Sequence, residues 1–93
     1  MRDTAYAREL VSAAYVFPDK SEGRIERLYV KAMKQEEIRV SWWKGGKMVR
    51  RPLDLREDEL LALLRKAIAE DVFSDEFLGG LKELLECEPN RGS

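Results

Sequence analysis

The chain has 93 residues and a mass of 10.8 kDa, the size of a single domain. Charged residues make up 38%, but 17 Lys and Arg nearly cancel 18 Asp and Glu, so the net charge of −1 points to no partner and only its distribution is informative. With no His and one Cys, Cys87, the chain lacks the commonest general base, the Ser-His-Asp and Cys-His nucleophile systems, an intramolecular disulfide and a Cys-rich metal site.

The longest apolar runs, Ala13–Phe17 and Leu60–Leu64, hold five residues each, whereas a membrane span needs about 20. Met1-Arg2-Asp3-Thr4 leads into no apolar stretch of the kind a secretory signal has. The expectation is a small cytoplasmic domain with no membrane segment. Charge is segregated along it. Residues 20–51 hold ten basic and four acidic side chains, a net of +6; residues 52–93 hold five and eleven, a net of −6.

In chain order, the N-terminal segment 1–23 is ambiguous. Tyr6, Leu10, Val11, Ala14 and Phe17 fit one helical face, yet Ala14–Phe17 also fits a strand that turns at Pro18–Gly23. Residues 24–53 read as a basic antiparallel meander. Arg24–Met33 alternates Leu28, Val30 and Ala32 with Arg27, Tyr29 and Lys31, with a turn expected at Lys34-Gln35-Glu36; Ile25, Leu28, Tyr29 and Ala32 also fit a helical stripe over 24–36, but the β-branched and aromatic residues and the strand that follows closely favour strand. Glu37–Lys44 alternates Ile38, Val40 and Trp42 with Arg39, Ser41 and Trp43. Lys44-Gly45-Gly46-Lys47 is a two-glycine hairpin turn, and Met48–Leu53 is the returning strand.

Residues 54–87 read as an acidic helical hairpin. Leu60, Leu61, Leu64, Ala67 and Ile68 form the first apolar stripe, behind Glu57-Asp58-Glu59 in the first turn and an expected capping box of Asp54 with Glu57. Asp71–Phe73 is the connection, Ser74 the next N-cap, and Phe77, Leu78, Leu81, Leu84 and Leu85 the second stripe. Gly79-Gly80 inside that stripe predicts close approach to a neighbour, and residues 88–93 predict a frayed tail. The fold expected is α+β: three antiparallel strands, four if residues 13–17 join them, packed on a C-terminal helical hairpin.

Alternation divides the meander into two faces. Leu28, Val30, Ala32, Ile38, Val40 and Trp42 are expected to meet the helices. The opposite face is expected to carry Arg27, Tyr29, Lys31, Arg39 and Trp43, with Lys47 and Arg51 close by. A cationic sheet face with two rings suits a protein partner, because Trp, Tyr and Arg dominate interface hot spots. It also suits single-stranded nucleic acid, where rings stack on bases and cations follow phosphates. A third reading has Tyr6, Leu10 and Val11 packing there, with Tyr29 and Trp43 in a second small core. The opposed halves would also allow self-association as a homodimer.

No enzymatic constellation, metal site, cofactor or small-molecule substrate site stands out. Lys44–Lys47 lacks the spacing of a phosphate loop, and the acidic clusters at 54–59 and 70–76 are explained by helix starts. Cys87 lies between Glu86 and Glu88, and no reactive role is expected of it. The stretch Lys47–Leu55 before a helix, with Val72–Leu78 opening the next, resembles small proteins carried by bacterial phages and mobile elements. That resemblance covers residues 44–85. It implies a bacterial accessory protein, with no particular activity and no functional residue carried over.

Overall fold

A computed structural model describes residues 3–87. The elements are β1 (Ala7–Val16), β2 (Glu22–Val30), β3 (Gln35–Lys44), β4 (Lys47–Val49), α1 (Glu57–Ala69) and α2 (Asp75–Glu86). The strands form one antiparallel meander in the order β1-β2-β3-β4, so the chain is α+β with the sheet first and two helices after it. The frayed tail expected over 88–93 lies outside the described residues. Among those residues no helix is long and apolar enough to cross a membrane.

The ambiguous N-terminal segment is a strand. Ten residues of β1 pair with β2, with a bulge between Glu9 and Val11. The helical spacing of Tyr6, Leu10 and Val11 is overridden because Ala13 finds a buried place beside Ile25, beneath α1. β1 lies beside β2 in the sheet and so does not cover a sheet face. At the next turn, Lys34 takes φ 54° and its N–H donates to Val30 O at 2.8 Å, so the loop falls at 31–34 and not at 34–36. Gly45 and Gly46, at φ 55° and 79°, make the β3–β4 hairpin expected of two glycines. β4 is three residues long rather than six; Pro52, with no N–H to donate, follows soon after.

The early loop sets the register. Val30 pairs with Gln35, Leu28 with Glu37, Ile25 with Val40 and Gly23 with Trp42. Even-numbered residues of β2 therefore lie across from odd-numbered residues of β3. This corrects the expected inner face by one residue, and such a slip moves a whole strand's side chains to the other side. Ile38, Val40 and Trp42 share the helix side with Gly23, Ile25, Arg27 and Tyr29. Leu28 and Val30 are buried on the opposite side, and Ala32 lies exposed in the turn.

The core sits between β1, β2 and α1. It comprises Ala13, Ile25, Leu63, Ala67 and Val72, with Val11, Tyr15, Leu55, Leu64 and Phe73 packed around it. Ala13 and Ala67 are small, which lets α1 lie close to the sheet. Leu63 and Ala67, four residues apart, form the buried edge of α1, whereas Leu60, Leu61 and Ile68 of the expected stripe are exposed. Arg56 is the α1 N-cap, its N–H donating to Glu59 Oε1 at 3.0 Å, in place of the expected Asp54–Glu57 box. Ser74 caps α2 as expected, accepting from the Phe77 N–H at 3.1 Å.

Candidate interaction surface

The seven candidate binding residues do not share a face. Arg27 and Tyr29 lie on the helix side, because Arg27 pairs with Ile38 and Tyr29 with Glu36. Arg27 is committed to structure: its Nε donates to Val72 O at 2.7 Å and its Nη1 meets Glu36 at 3.0 Å. Lys31 caps the end of β2, donating to the Asp3 carboxylate and to Thr4 O. The Lys31 hydrogen bond holds the Asp3 carboxyl below the usual carboxylate range. Lys47 sits at the exposed β3–β4 turn. Arg51 turns to the helix side, its guanidinium carbon 5.4 Å from the centre of the Trp42 ring.

Arg39 and Trp43 do lie on the face opposite the helices, but as parts of a closed network. Trp43 is only 7% exposed. Its Nε1–H donates to Ser41 Oγ at 2.8 Å, and Ser41 Oγ donates to Glu26 Oε1 at 2.9 Å. Arg39 reaches both Glu26 oxygens, and the Arg24 guanidinium lies over the Trp43 ring at 4.1 Å. Burial acts to raise the Glu26 pKa, but hydrogen bonds from Arg39 and Ser41, with the Arg39 charge, outweigh it and hold the carboxyl below its ordinary value. Trp43 thus projects from the expected face, but its ring is covered there rather than open to solvent. Adjacent Trp42 and Trp43 do point to opposite sides, as strand parity requires.

Glu26 was not a candidate from sequence. Its signal is an acidic residue inside a strand whose same-face neighbours across the hairpin, Arg39 and Ser41, can donate to it. A cleft of about 330 Å³ opens at the β1–β2 hairpin end, lined in part by Phe17, Asp19, Trp42, Leu53, Asp54 and Glu59. Asp19 is held below the usual carboxylate range by hydrogen bonds from the Ser21 hydroxyl and N–H. Among the described residues, no group of three or more His, Cys, Asp or Glu side chains could hold a metal ion.

What the structure leaves open is apolar and lies on the helix side. α1 packs on β1 and β2, and among the described residues no helix lies over the same side of β3. Ile38 is exposed there and Val40 is 54% exposed. Trp42 ends this strip, with Lys44 Nζ 4.7 Å from its ring centre and Arg51 beside it. The stripe on α2 is open too: no residue of that helix is buried, and Leu84 and Leu85 are 65% and 69% exposed. Among the described residues a Cβ added at Gly79 or Gly80 would meet nothing within 4 Å, so the close approach expected there is not made among them. No family model, curated protein or solved structure matches this chain.

Proposed function

We propose that this protein is a small non-enzymatic interaction module, an accessory protein of the bacterial or phage kind that the resemblance over residues 44–85 implies. The observation that carries the reading is α2. Its stripe of Phe77, Leu78, Leu81, Leu84 and Leu85 is that of a helix that packs, yet apart from the Phe77 contact with Phe73 it covers no other strand or helix among the described residues. Exposed apolar patches on a small domain mark contact surfaces. The outer edge of α1, with Leu61 and Ile68 exposed, extends the same character.

A photo-crosslinking residue placed at Leu84 in the producing cell tests this directly. A protein adduct that disappears when Leu85→Glu is added is the expected result. Absence of any protein adduct overturns the reading.

A further inference from the structure

Resting on that reading, we infer that the occupant of the α2 stripe is a second copy of this chain. The α2 helix of each copy lies across the uncovered helix side of the other's β3, in a reciprocal two-fold dimer. Both halves of such a contact are present on one molecule. The strip Ile38–Val40–Trp42 runs four residues along a strand, roughly 14 Å. The stripe from Phe77 to Leu85 rises over eight helical residues, roughly 12 Å. The two apolar surfaces match in length.

Their charges are complementary at the Trp42 end of the strip. α2 carries Asp75, Glu76, Glu83 and Glu86 against Lys82 alone. At the Trp42 end of the β3 strip Lys44, Lys47, Arg50 and Arg51 are all exposed and outnumber Asp19, Asp54 and Glu59 of the adjoining cleft, while Glu36 lies at the other end on the same face as Ile38. Packing α2 against the α2 of another copy would instead bring like charges together, and this favours the crosswise arrangement.

The chain's own α2 is held away from its own β3. Asp71 turns the backbone at φ 58°, Val72 is fully buried, and Val72 O accepts from Arg27. The Ser74 cap and the Phe73–Phe77 ring contact, with centroids 4.8 Å apart, then fix the direction in which α2 leaves. Among the described residues α2 makes no contact with a strand of its own chain. Two-fold symmetry doubles each contact, as an isologous interface requires.

Sedimentation of the full chain at tens of micromolar tests this, with the variants Leu84→Glu/Leu85→Glu on α2 and Val40→Glu on β3. All three sites are exposed in the single chain, so circular dichroism spectra stay unchanged; Leu84→Ser/Leu85→Ser and Val40→Ser repeat the test if charge disturbs folding. The expected result is a wild type of twice the 10.8 kDa chain mass and monomeric variants. An equimolar mixture of the two variants recovers a weaker dimer, because one intact α2 then meets one intact β3. A monomeric wild type, a variant that stays dimeric, or a mixture that stays monomeric overturns the inference. A monomeric wild type whose Leu84 still crosslinks to a different protein in the cell leaves the interaction reading standing.

Discussion

Arg39 holds Glu26 at two points, Nε to Oε1 at 2.9 Å and Nη2 to Oε2 at 3.2 Å, on the side of the sheet that no helix covers. The Glu26 side chain is 0% exposed, and Ser41 supplies a third donor. Arg39→Met keeps the stem but strands a buried carboxylate, and should cost about 3–5 kcal/mol in urea unfolding. Glu26 binds its proton less tightly folded than its ordinary pKa of 4.5 implies. Its stabilising contribution is therefore complete above that value and is lost as pH falls through the folded one. Glu26→Gln should flatten the fall in unfolding free energy below about pH 5; an unchanged acid slope would show that Glu26 does not contribute it.

The two indoles should respond differently to the same substitution. Trp43 Nε1–H donates to Ser41, whereas Trp42 Nε1–H is buried with no hydrogen-bond partner among the described residues. Trp43→Phe should cost about 1–2 kcal/mol, and Trp42→Phe close to nothing. Trp43→Ala should cost about 3–5 kcal/mol by emptying the space beneath Arg24. Thermal unfolding of the three variants checks the order, and a Trp43→Ala protein as stable as wild type would contradict the sealed ring.

Leu63 and Leu84 are both helical leucines, but only Leu63 is buried. Leu63→Ala should cost about 2–5 kcal/mol, because it opens a cavity against Ala13 and Ile25. Leu84→Ala should leave the unfolding of a dilute single chain within about 0.5 kcal/mol of wild type. Chemical denaturation at low and high protein concentration separates that result from any effect on association.

Gly23 and Gly79 should also diverge. A Cβ at Gly23 would lie 3.0 Å from Phe17 Cζ and 3.1 Å from Leu53 Cδ2, so Gly23→Ala forces the hairpin end apart and should cost about 1–3 kcal/mol. Gly79 lies in a helix with open space around it, so Gly79→Ala should stabilise α2 by up to about 1 kcal/mol. Hydrogen exchange across residues 75–86 reads the second change locally, and thermal melting reads the first.

Local chemistry alone determined the central meander followed by two helices, the Gly45-Gly46 turn, the Ser74 cap, the opposed charges of the two halves and the opposite directions of Trp42 and Trp43. Each depends on a residue's own conformational preference or on its near neighbours. Register and coverage were decided only by the tertiary structure. β2 buries Ile25 on one side and Leu28 and Val30 on the other, so its alternation fits either face, and the 31–34 loop carries no Gly or Pro to fix where it turns. Which of two apolar helices would reach the sheet was equally hidden. The small Ala13 and Ala67 of the core and the Val72 anchor seat α1 there, while α2, after the backbone turn at Asp71, makes no contact with a strand among the described residues.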